Sequence, residues 1–171
     1  MQRESLHNVM KAFNEHRLKY AIVGGLAVNL YGYQRFTKDI DVIVSMYPDD
    51  LESLVRVLRG LGFRPIYPVS LDDFLVEETR RGWVELRNMT VFSVVSDRYP
   101  TITLDLFVDP PYSYAEIEGD LSYETVRDGL VLPTIDLDRL IQMKESVGRA
   151  QDVIDVEQLK KIRDEYVSRE S

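Results

Sequence analysis

Two carboxylates one residue apart, Asp39 and Asp41, sit in the run Thr37-Lys38-Asp39-Ile40-Asp41-Val42-Ile43-Val44. On a strand, side chains two apart share a face, so both acids point the same way. Like charges side by side repel, and a hard divalent cation is the usual offset, because carboxylate oxygens are its natural ligands. Upstream, Tyr20-Ala21-Ile22-Val23 ends in Gly24-Gly25 ahead of a short helical stretch. Bare backbone N–H groups at such a helix start favour phosphate, whereas a tight strand-to-helix turn by itself accounts for at least one of the glycines. No Gly-x-Gly-x-x-Gly follows and no Gly-Lys-Ser/Thr occurs. That excludes a dinucleotide fingerprint and a Walker loop.

A third acid completes the set. Ile102, Leu104, Leu106 and Val108 alternate as one apolar face, which puts Asp105 on the other. Ile40, Val42 and Val44 leave Asp39 and Asp41 opposite a core face in the same way. If the two strands are neighbours, three carboxylates converge, which is the donor set of a two-metal site. The plainer readings are strand-end aspartates bonded to a turn, or a single Ca²⁺ clip. The EF-hand spacing is absent.

The elements that must carry these residues alternate along the chain. Helical spacing covers Ser5 to Arg17, and Tyr20 to Val23 reads as a buried strand. Leu26 to Tyr31 reads as a short helix, Ile40 to Val44 as a strand and Asp49 to Leu61 as an amphipathic helix closed by Gly60 and Gly62. A weaker helix, capped by Ser70, is expected over Ser70 to Arg80. Strands follow over Trp83 to Arg87, Thr90 to Val95 and Ile102 to Val108. Beyond Pro110-Pro111, Tyr112 to Asp128 is an acidic connection with some helical character, and Val131-Leu132 a short strand. Helices over Asp136 to Val147 and Gln151 to Ser168 end the chain, parted by Gly148. Strands in the middle and helices at both ends predict an α+β or mixed α/β fold: a central mixed sheet flanked by helices, with a C-terminal helical segment.

Composition bounds the function. A chain of 171 residues with 44% hydrophobic and 29% charged residues describes one ordinary globular domain. There is no cysteine, hence no disulfide, thiolate metal site or cysteine nucleophile. No apolar run approaches the ~20 residues of a membrane span, and the first residues carry charges throughout, so the expected address is the cytoplasm. A net charge of −8 does not attract nucleic acid, although a local basic groove still could.

The combination of Gly24-Gly25, Asp39-Ile40-Asp41 and Ile102 to Val108 resembles the nucleotidyltransferase superfamily typified by DNA polymerase β. The tail from Leu140 to Leu159 is similar to the C-terminal helices of the AbiEii-like and aminoglycoside-type minimal nucleotidyltransferases, where a Lys is followed by an Arg and a short run of Asp. Gly25 stands where many relatives carry Ser. The resemblance implies a catalytic core over 1–110, with an acidic connection and C-terminal helices over 111–171 packing on it. It implies transfer of an NMP from an NTP to an acceptor hydroxyl. Mg²⁺ or Mn²⁺ would be held by Asp39, Asp41 and Asp105, and nucleotide by Gly24, Gly25, Thr37 and Lys38. It gives Lys144 a catalytic or nucleotide-binding role, although the helical pattern alone equally allows a snorkelling surface lysine. Arg35 and Lys38, read by themselves, are solvated charges. Asp152 reads as a helix-start acid and Asp155 is open. The acceptor is tRNA, a protein or a small molecule. The alternative is a non-catalytic nucleotide- or metal-binding module, part of a toxin–antitoxin-like pair with an antitoxin-like partner.

Overall fold

A computed structural model describes residues 3–170, with side chains for 4–168. Helix α1 spans Arg3–Glu15 and buries Val9, Met10 and Phe13 at helical spacing. Phe13 meets Tyr20 of β1 (Tyr20–Val23) edge to face, with centroids 5.3 Å apart. The chain then turns at once into α2 (Gly24–Leu30) and returns as β2 (Asp39–Val44), antiparallel to β1. Helix α3 (Pro48–Gly60) opens with proline in its first turn and leads to a short edge strand, β3 (Phe63–Pro65).

The next segment departs from the expected pattern. The weak helix expected over Ser70 to Arg80 is split at the extended Val76 into a 3₁₀ turn over Asp72–Leu75, with Ser70 and Asp73 capping each other reciprocally, and the start of a longer helix at Glu77. Trp83 to Arg87 is not a strand: it is the second half of α4 (Glu77–Arg87). Two glutamates in its first turn suit the helix dipole, and Asn88 in the left-handed region ends it. Arg80 and Trp83 lie one turn apart on its buried face, where Trp83 stacks on Phe92 at 5.1 Å. Tertiary packing thus decides a stretch whose exposed Leu86 and interior Gly82 weaken the helical pattern.

Strands β4 (Val91–Ser96) and β5 (Thr103–Phe107) follow. The acidic connection holds one turn of helix, α5 (Tyr114–Ile117), and a strand that the sequence does not announce, β6 (Ser122–Thr125). Strand β7 (Val131–Thr134) pairs with β6 and, in parallel, with β1. The last helices are α6 (Leu137–Val147) and α7 (Ala150–Glu170). The seven strands form one mixed sheet in the order β3-β4-β5-β2-β1-β7-β6, so the sheet continues past residue 110 through β7 and β6. No described helix is long and apolar enough to cross a membrane.

Alternation sorts this sheet into two faces. Ile40, Val42, Phe92, Leu104 and Leu106 are fully buried on one of them, against Phe74 and Trp83. Asp39, Asp41, Ser93, Asp105 and Phe107 stand on the other. Helix α6 lies over that second face.

Candidate active site

Parallel pairing of β2 with β5 sets Asp41 directly opposite Asp105, and Asp39 opposite Thr103. The two strands are neighbours, as convergence of the three acids requires. Their side chains line a cavity of about 580 Å³ together with Gly24, Gly25, Arg35, Thr37 and Lys144. A second cavity, of about 550 Å³ against α4, shares only Asp109 with it and holds none of the paired aspartates. The chemistry therefore belongs to the first.

The acids are held under strain of charge. Burial, followed by the charges of Asp105 and Asp39, pushes the Asp41 carboxyl up to about 6, while Lys144 and a hydrogen bond from the Gly25 backbone N–H act the other way. Burial also raises Asp105, offset in part by a hydrogen bond from Ser93 across β4 and raised again by Asp39. Asp105 Oδ1 is buried without a hydrogen-bond partner. An orphaned carboxylate oxygen facing two other acids asks for a cation.

The glycine turn is built around Asp41. Gly24 has φ +63°, and a Cβ there would stand 2.1 Å from Asp41 Oδ2. Only glycine meets both demands. The Gly25 N–H, a phosphate donor in the sequence reading, is engaged by the Asp41 carboxylate. Asp41 thereby serves the start of α2, which has no side-chain cap of its own.

Residues from the tail close the cavity. Lys144 on α6 is buried; its Nζ donates to Asp152 Oδ1 at 2.9 Å and lies 3.0 Å from Asp155 Oδ2. Asp152 also accepts the Arg149 N–H, so it caps α7 and pairs with Lys144 at once. Asp155 is fully buried and faces Arg35 Nε at 3.0 Å. Arg35, which reads as a solvated charge, is a wall of the cavity. Lys38 is exposed, with its ammonium 5.9 Å from the Phe36 ring, and stands outside the lining. The signal for Asp152 and Asp155 was present in the sequence: with Leu159 they fall at helical spacing on one buried stripe of α7.

The donor set fits a hard cation such as Mg²⁺ in chemistry: carboxylate oxygens only, one of them orphaned. Among the described residues, no group of three or more acidic, histidine or cysteine side chains is placed to hold a metal ion.

The fold that carries these residues is shared with solved nucleotidyltransferase structures. The lincosamide antibiotic adenylyltransferase LnuA, solved with lincomycin, is similar at a TM-score of 0.64 and 16% identity, covering 95% of this chain and 98% of its own. ANT(2")-Ia in complex with adenylyl-2"-tobramycin is similar at a TM-score of 0.58 and 16% identity, covering 99% and 100%. A Thermotoga maritima protein assigned as a nucleotidyltransferase gives 0.57 at 15% identity, covering 96% of each chain. At these identities the likeness is one of fold. No family profile matches the sequence. No curated protein matches it either.

Proposed function

We propose that this chain is a metal-dependent nucleotidyltransferase that moves an NMP from an NTP to an acceptor hydroxyl and releases pyrophosphate. The observation that carries the reading is the direct pairing of Asp41 with Asp105 beside Asp39 and the Gly24 turn, with an orphaned carboxylate oxygen in the same cavity. Asp39, Asp41 and Asp105 would hold Mg²⁺ or Mn²⁺, which supplies neutralisation of the triphosphate and a lowered hydroxyl pKa. The acceptor oxygen forms a bond to the α-phosphorus as the bond to the bridging oxygen breaks, and the electron pair leaves with pyrophosphate. Asp105, on the strand beside Asp41, takes the hydroxyl proton. Gly24, Gly25 and Thr37 orient the nucleotide, and Lys144 places positive charge beside Asp41. Lys38 keeps a nucleotide role only if the bound phosphate chain reaches out of the cavity.

Two of the fold neighbours bear antibiotics in their names, lincomycin and adenylylated tobramycin. They lend support to a small hydroxylated acceptor ahead of tRNA or a protein side chain. The branch resembling AbiEii-like proteins, residues 1–110 as the catalytic core, a cytoplasmic address and an antitoxin-like partner all belong to this proposal. The test is incubation of the purified protein with each α-³²P-labelled NTP, Mg²⁺ and a lysate fractionated into RNA, protein and small molecules. Label is expected to enter one fraction only when Mg²⁺ is present. Metal-dependent NTP binding without transfer to any fraction would instead identify a regulatory module.

A further inference from the structure

Arg35, Lys144 and Asp152 line the cavity, and Asp155, fully buried behind them, completes a second charged group whose hydrogen bonding is incomplete. Asp155 approaches both cations at 3.0 Å, Arg35 Nε through Oδ1 and Lys144 Nζ through Oδ2. Neither approach is aligned as a hydrogen bond. Arg35 Nε and Asp155 Oδ2 have no hydrogen-bond partner, and Oδ1 receives its hydrogen bond from Gln151 Nε2. Together with Asp105 Oδ1 these are the buried side-chain polar atoms left without a hydrogen bond among the described residues, and all three belong to this one site.

The cations therefore keep donors in hand. Lys144 gives one of its three N–H bonds to Asp152, and Arg35 gives Nη1 to the Phe36 carbonyl. Arg35 Nη2 lies against the glycine turn, 2.7 Å from the point where a Cβ on Gly25 would stand. Two cations with unspent donors, next to carboxylates that a metal would neutralise, suit a metal-bound polyphosphate. A simple surface ion pair would show neither the burial of Asp155 nor the misaligned contacts.

We infer that Asp155 is a positioning residue that holds Arg35 and Lys144 together as a clamp for the phosphate chain of the nucleotide. Arg35 binds it from the Gly25 side and Lys144 from the Asp41 side, which makes the first turns of α7 part of the site. The identity of the ligand rests on the nucleotidyl-transfer reading; the clamp itself rests on the contacts above.

The test is titration calorimetry of inorganic tripolyphosphate with Mg²⁺ on the full chain, for wild type, Arg35→Gln, Asp155→Asn, their double variant and Arg35→Lys. Loss of one charge-assisted contact predicts a weakening of about tenfold in Arg35→Gln and in Asp155→Asn. The double variant should be little weaker than the worse single one, because Asp155 acts through Arg35 and Lys144. Arg35→Lys should restore only part of the affinity, since it lacks the planar fork. Unchanged affinity in Arg35→Gln, or losses that simply add in the double variant, overturns the clamp. Circular dichroism checks folding. If Asp155→Asn fails to fold, Arg35→Gln against Arg35→Lys decides: unchanged binding in both sinks the proposal, and a loss with partial rescue sustains it. Nucleotide transfer by wild type is scored separately. Clamp-dependent polyphosphate binding without transfer sinks the functional reading and sustains the clamp, whereas transfer with tripolyphosphate affinity intact in Arg35→Gln sinks the clamp alone.

Discussion

Two groups of aspartates, one lining the cavity and one partly buried behind its wall, are treated in opposite ways by the fold. Asp39, Asp41 and Asp105 stand on adjacent strands with like charges as neighbours, and burial raises Asp41 and Asp105. Asp152 and Asp155 stand on a helix with Lys144 and Arg35 as neighbours, two negative charges against two positive. The first group carries unbalanced negative charge. The second is balanced from within. Residue type is the same in both; what differs is the partner that each backbone element brings. Proteins retain unbalanced buried charge mainly where function uses it.

Several substitutions break this contrast, and the largest effect falls on chemistry. Asp39→Asn with Asp41→Asn should take nucleotide transfer down to the uncatalysed background in the labelled-NTP assay, with the fold intact by circular dichroism. The next largest effect is on stability. Asp155→Asn removes the partner of the buried Lys144 and the half-buried Arg35 and should lower unfolding free energy in urea by about 3 kcal/mol. The same change of Asp to Asn at position 41 should act in the other direction. The rise of the Asp41 pKa from 3.8 to about 6 corresponds to a cost on the order of 3 kcal/mol at neutral pH, which Asn does not incur.

The sign follows from proton binding. Between pH 3.8 and about 6 the folded protein holds a proton on Asp41 that the unfolded chain releases. Metal-free stability therefore falls as pH rises through that window and stays low above it. The advantage of Asp41→Asn should vanish once the pH is below the window, a result readable from urea midpoints measured across pH. Loss of that advantage at neutral pH instead would break the electrostatic account of the acid face.

Smaller effects sharpen the picture. Gly24→Ala meets an unfavourable left-handed backbone and a side chain 2.1 Å from Asp41 Oδ2, so it should destabilise by about 2 kcal/mol and displace the carboxylate. Gly25→Ala meets only the ends of the Arg35 and Thr37 side chains, which can shift. Its cost should be lower than that of Gly24→Ala in the same urea series. Lys160→Ala removes an exposed pair with Glu145 and should change stability by less than about 0.5 kcal/mol and transfer not at all.

The acid face was legible in the sequence; in the balanced group the buried stripe of Asp152 and Asp155 was legible too, but its pairing with Arg35 was not, for a physical reason. Period-two alternation around Asp39, Asp41 and Asp105 names the face of each residue from its own strand, and the buried ladder of Ile40, Val42, Leu104 and Leu106 agrees. Arg35 lies in a loop, where no periodicity says which way a side chain points. Its partner Asp155 is in the last helix, and only tertiary structure brings the two together. The same limit explains α4 and β6. Trp83 is helical because it packs on Phe92, and Ser122–Thr125 is a strand because β7 offers it an edge. Local patterns spoke where one face was apolar and the other charged; they were silent where the deciding contact came from far along the chain.

The most direct test of the acid face as a cation site is a urea unfolding curve for wild type and Asp41→Asn, each with chelator and with millimolar Mg²⁺, at neutral pH. Without metal the variant should be the more stable of the two. Mg²⁺ should raise the wild-type midpoint and leave the variant nearly unmoved, because binding to the native state stabilises only the protein that has the site. Equal Mg²⁺ responses in the two proteins, or a metal-free wild type more stable than Asp41→Asn, would contradict the account.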